Sequence, residues 1–91
     1  MSSDIKMKRV TATGALSVGR ARIRQVQVTV SNAGPGRLTI TDGDGGKVVL
    51  DLDFAADNTH ITNVPDHGIL VVVDPFVSAA TNVTAATIYY A

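Results

Sequence analysis

The sequence predicts an all-β domain, a small β-sandwich or jelly-roll-like barrel of seven to eight short strands with an extended basic N-terminal arm. Three observations carry that expectation. Val, Thr and Ile make up about a third of the 91 residues, and Glu is absent. β-Branched side chains lose rotamer freedom in helices and suit a pleated surface, while the usual helix-surface residues are scarce. Apolar and polar residues alternate through Arg20–Ser31 and Lys47–Phe54, the period of a half-buried strand. Turn-forming clusters separate such runs roughly every 8–12 residues, the spacing of a sandwich or small barrel.

Residues 1–9 (MSSDIKMKR) are polar and basic without a period, so they are expected to form a flexible arm, with 10–91 as the single domain. Val10–Leu16 opens the first strand, with Gly14 marking a bend or bulge. In RARIRQVQVTVS, Ala21 and Ile23 fall on odd positions but Val26, Val28 and Val30 on even ones. A regular strand would turn one of these sets to water, so a β-bulge is expected near Arg24–Gln25. Asn32–Gly36 (NAGPG) is a turn, and Arg37–Thr41 the next strand.

Asp42–Gly46 (DGDGG) is the tightest turn signal and joins that strand to KVVLDLDF as a hairpin. There Val48, Leu50, Leu52 and Phe54 should face one way, and Val49, Asp51 and Asp53 the other. Ala55–Thr59 reads as a loop, His60–Val64 as a short strand and Pro65–Gly68 as a turn. The unbroken apolar run Ile69–Val73 suggests a strand covered on both faces, ended by Asp74-Pro75. In Phe76–Ala91 the spacing of Phe76, Ala80, Val83 and Thr87 also fits a helix, but Thr81, Thr84 and Thr87 weaken one. Two short strands around Asn82 are the preferred reading.

Ninety-one residues make one domain. Such a chain buries only roughly 60–65% of its unfolded surface. With no Cys, neither disulfides nor a Cys-based zinc site can supplement the core, which leaves oligomerisation or docking on a larger body. No apolar run reaches the ~18 residues of a membrane-spanning helix, and residues 1–14 lack the apolar stretch of a secretory signal. The charges cancel in total but not along the chain. Through Arg37 the net charge is about +6, and beyond it about −6, a polarity suited to contact with copies of itself or with a partner of patterned charge.

No motif points to catalysis. A calcium loop starting at Asp42 would place Asp44 and Asp53 at ligand positions 3 and 12, but puts Lys47 where the invariant Gly belongs. Asp and Gly are also ordinary turn residues, so a metal-free turn is expected. Gly46-Lys47-Val48 lacks the upstream Gly, the hydroxyl residue and the helix of a phosphate loop. His60 and His67 have neither converging ligands nor a nucleophile nearby, and Asp66 is merely a turn neighbour. The expectation is no catalytic residue, no cofactor and no metal.

The candidate residues are those of contact. Arg20, Arg22 and Arg24 alternate, forming a basic stripe if one strand carries all three. Such a stripe can neutralise phosphates, but no aromatic precedes Phe54 to stack on bases, which favours a protein partner over nucleic acid. Asp51 and Asp53 share the same period, so the Arg stripe of one copy could meet the Asp stripe of another. Ile5, Lys6, Met7, Lys8 and Arg9 of the arm could reach a neighbouring subunit. Tyr89 and Tyr90 should point to opposite faces, one into the core and the other, taken as Tyr90, to an interface.

A resemblance joins these pieces. Gly36-Arg37-Leu38 leading to Thr41-Asp42-Gly43, then Val49-Leu50-Asp51-Leu52-Asp53, Pro65-Asp66-His67-Gly68-Ile69-Leu70, Thr81-Asn82-Val83-Thr84 and Thr87-Ile88-Tyr89-Tyr90 resemble small virion-associated proteins of tailed bacteriophages, particularly marine ones. The similarity covers roughly residues 10–90 and consists of turn and strand words, with Arg20–Arg24 richer in Arg than the group's pattern. It implies a non-enzymatic structural protein that docks on the capsid surface as a decoration or cement protein. Its partners would be the major capsid protein, other virion proteins and copies of itself, and its location the virion after synthesis in the host cytoplasm. The alternatives are a tail, adaptor or fibre component of the same particle, or a soluble carbohydrate- or calcium-binding β module.

Overall fold

A computed structural model describes residues 5–65 and 68–91. These form β1 (Lys6–Val10), β2 (Gly14–Ala15), β3 (Ala21–Val30), β4 (Gly36–Asp42), β5 (Val48–Phe54), β6 (Asn58–Asn63), β7 (Ile69–Val71), β8 (Pro75–Thr81) and β9 (Val83–Tyr90). Sheet I runs β1-β9-β3-β6, with β7 also on β3, and sheet II runs β2-β8-β4-β5. All pairings are antiparallel. The protein is the all-β sandwich that the composition and periods predict.

The bulge in β3 lies where the phase change of its valines requires it. Ile23 pairs with Tyr90 and Gln25 with Tyr89, so Arg24 is the extra residue. It turns Ala21 and Ile23 to the same side as Val26, Val28 and Val30, and all five are buried. From the facing sheet Leu38, Ile40, Val77 and Phe54 close the core, joined by Leu16 from the segment after β2. The chain crosses between sheets at Asn82, a single residue with φ 55° between β8 and β9. Its Nδ2 donates to the Pro35 carbonyl at 3.0 Å, and its own carbonyl accepts the Ser31 amide at 2.8 Å. The two strands expected around Asn82 are both present, and the helical alternative is not.

Five details correct the sequence reading. There are nine strands among the described residues rather than seven or eight, because β1 and the two-residue β2 are separate. Lys6–Arg9 is no free arm but most of β1, in register with β9 from Lys6↔Tyr90 to Val10↔Ala86. Residues 1–4 lie outside the described residues. The expected first strand is likewise divided: β1 stops at Val10, and Leu16 is a buried residue beyond β2. In β5, a register slip between Ile40 and Thr41 makes Val49 an extra residue. Val48, expected inward, is thereby 52% exposed, while Val49 packs on the core. Finally, β7 ends at Val71, and Val72 and Val73 are 58% and 65% exposed instead of covered. Their amides leave the ladder for the Asp42 carboxylate, at 3.0 and 2.8 Å.

Candidate docking face

Residues directly opposite in an antiparallel ladder share a face. With Val26, Val28 and Ile88 turned to the core, the outer face of sheet I can be read from the registers. One row is Met7–Tyr89–Gln25–Asn63, the next Arg9–Thr87–Gln27–Ile61, and the third Ala85–Thr29–Thr59. Gln25 Nε2 donates to Asn63 Oδ1 at 2.6 Å across the first row. Arg22, between the buried Ala21 and Ile23, extends the face beside Leu70. Met7 and Ile61 are 54% and 59% exposed.

The division of charge along the chain becomes a division between sheets. The strands of sheet I carry Lys6, Lys8, Arg9, Arg22 and Arg24 and no acidic residue. Sheet II carries Arg37 against Asp42, Asp51 and Asp53. Strands β6, β7 and β9 come from the acidic part of the sequence, but its described Asp residues fall in β4, β5 and loops. A face with Met, Tyr and Arg and without Asp, Glu or Lys has the residue bias of protein interfaces.

The predicted contact residues are only partly brought together. Ile5, just before β1, is 51% exposed. Met7 and Arg9 stand on the outer face, whereas Lys6 and Lys8 share the inward side with Tyr90 and Ile88. They remain exposed there at the edge of the sheet. The expected arginine stripe is irregular, with only Arg22 and Arg24 inside β3. Arg20 precedes β3, Arg24 is the bulge residue, and Arg22 alone keeps a regular outward position. The tyrosines point to opposite faces as expected, but the assignment is reversed: Tyr89 joins the outer row, and Tyr90, expected at an interface, stands on the inward side with Lys6 and Ile23, both rings half-buried.

Asp51 and Asp53 lie on the outer face of sheet II, opposite Thr39 and Arg37. Asp51 accepts from Arg37 Nε at 3.0 Å and Nη2 at 2.8 Å, and from Thr39 Oγ1 at 3.0 Å. The Arg37 hydrogen bond, seconded by Thr39, holds the Asp51 carboxyl below its ordinary pKa, and the same pairing raises Arg37. Asp51 is therefore partnered within its own sheet and not left bare for another copy's arginines.

Asp42, read from sequence as a turn residue, and Asp74, read as a strand terminator, act as clamps. Asp42 takes the amides of Val73 and Val72, which lower its pKa in that order of effect. With Gly43 and Gly45 at φ 81° and 76°, DGDGG is a glycine-dependent turn whose first carboxylate is already engaged. Asp74 accepts the amides of Ser17, Val18 and Gly19 at 3.0, 2.8 and 2.8 Å. Ser17 and Gly19 adopt φ 62° and 74°, so the three successive amides form a concave anion cradle. Nothing in local sequence announces a partner 55 or more residues away. His60 stacks on Phe54 at 5.0 Å, and its Nε2 lies 3.2 Å from the Ala55 carbonyl, while His67 lies outside the described residues. Among the described residues no three His, Cys, Asp or Glu side chains gather as a metal site. No helix is long and apolar enough to cross a membrane. No protein-family model, curated protein or solved structure matches the chain.

Proposed function

We propose that this protein is a non-enzymatic structural component of a tailed-bacteriophage virion, docking on the capsid surface as a decoration or cement protein through the outer face of sheet I. The observation that carries the reading is the acid-free, Met-, Tyr- and Arg-bearing face, set against a sheet II whose Arg37 is already engaged by Asp51. Such a face suits a partner that supplies carboxylates around an apolar patch, and the resemblance to virion-associated proteins suggests the capsid as that partner. Docking also compensates a thin core, because a partner that binds only the folded state shifts the folding equilibrium.

The test is binding of the purified chain to capsids stripped of it, for wild type and for the Arg9→Ser/Arg22→Ser variant. The variant should bind more weakly and lose much of the salt dependence seen in wild type, because screening acts on exposed charges. Equal occupancy and equal salt dependence for the two proteins would contradict docking through this face.

A further inference from the structure

We propose that two copies of this chain join through the free edge of β6 in a two-fold, antiparallel strand pair centred on Ile61, extending sheet I across the dimer.

An open strand edge is a template for another chain, and natural sheets blunt their edges with charge, bulges or short length. The other edges of this sandwich are blunted in these ways. β1 carries Lys6, Lys8 and Arg9, and β5 carries Asp51 and Asp53 and is bulged at Val49. β2 has two residues and β7 three. β6 (Asn58-Thr59-His60-Ile61-Thr62-Asn63) has six residues, no Lys, Arg, Asp or Pro, and no register shift against β3. Among the described strands it pairs with β3 alone. Pairing β1 with β1, or β5 with β5, would set like charges opposite one another, which is destabilising. β6 meets itself without that penalty.

Strand geometry fixes the register. The Val64 amide donates to the Arg24 carbonyl on β3. Alternation along the strand then turns the backbone groups of Thr62, His60 and Asn58 to β3, and those of Thr59, Ile61 and Asn63 to the open edge. Opposed residues in an antiparallel pair must also lie on the same face, so a two-fold axis has to pass through a residue and not between two. Centring it on Ile61 pairs every outward-turned residue with another: Ile61 with Ile61 of the second copy, and Thr59 with its Asn63. It also brings together two isoleucines that are each 59% exposed in the single chain. The proposal does not depend on a virion role.

Sedimentation equilibrium of the full chain tests it. Wild type should show twice the chain mass, and Ile61→Lys, which sets like charges across the axis, should show the single-chain mass with an unchanged circular dichroism spectrum. Met7→Lys, at the far edge of the sheet, should remain dimeric. In hydrogen exchange, the Ile61 and Asn63 amides should be protected in wild type and lose protection in Ile61→Lys, while His60 and Thr62 stay protected in both. A wild-type chain of single mass overturns the proposal, as does a dimer that survives Ile61→Lys.

Discussion

Arg37 grips Asp51 in a two-pronged pair, Nε to Oδ1 at 3.0 Å and Nη2 to Oδ2 at 2.8 Å, with both side chains near half exposure. An exposed pair of this kind adds little stability, but it decides which charges remain available to a partner. It neutralises sheet II locally and leaves the unbalanced positive charge on sheet I.

The clamped carboxylates make the fold sensitive to acid. Asp42 and Asp51 both have pKa values lowered in the folded state, chiefly by the Val73 amide and by Arg37 respectively. A group lowered in this way contributes stability above its unfolded value, about 3.9 for Asp, and loses that contribution as pH falls through the folded value. Denaturant midpoints should therefore be level above about pH 5 and decline below about pH 4. Asp42→Asn should lessen the decline and speed amide exchange at Val72 and Val73. Equal pH profiles for wild type and variant would show that the clamp does not couple to folding.

Deleting Arg24 should leave the protein folded. It removes the residue that has no partner in β9 and leaves Ile23↔Tyr90 followed directly by Gln25↔Tyr89. Deleting Gln27 should unfold it, because that change brings Val26 next to Val28 and turns one of two fully buried valines to water. Thermal melts of the two deletions are the check, and similar stability for both would refute the bulge argument.

Core and tip should respond differently to truncation. Leu38 is fully buried between the sheets, so Leu38→Ala should cost about 2–5 kcal/mol. Val72→Ser, at a residue 58% exposed, should stay within about 0.5 kcal/mol. Urea titrations measure both.

Removing residues 1–9 should leave a folded sandwich with a newly opened edge. The Ala91 amide bonds to Arg22 on β3, so alternation turns the amides of Ala86, Ile88 and Tyr90 toward β1. These three should lose exchange protection in the truncated chain, while Thr87 and Tyr89 keep theirs. Unchanged protection at all five would mean that β1 is not paired with β9 in solution.

What the sequence makes legible follows from periods. The bulge at Arg24 could be read because side-chain parity in a strand is strict, and five apolar residues had to reach one core. The pairing of Lys6–Arg9 could not, since nothing in KMKR alternates toward burial. β1 exists because β9 would otherwise present an open edge, and its lysines stay wet at the margin of the sheet. Val72 and Val73 looked like buried strand because an apolar run gives no sign of where its hydrogen bonds go. The carboxylate that captures them lies about thirty residues earlier. The candidate docking face shows in the sequence only as a charge imbalance along the chain. Its assembly needed the order β1-β9-β3-β6, which brings the acid-free strands together.

The most direct measurement is a cryo-electron microscopy reconstruction of the phage particle on which the proposed function places this chain. The proposed function predicts its density at regular positions over the icosahedral shell, with Met7, Arg9, Arg22 and Tyr89 of sheet I turned toward the capsid. Density confined to the tail or a single vertex, or a chain seated on the shell through Asp51 and Asp53 of sheet II, would contradict it.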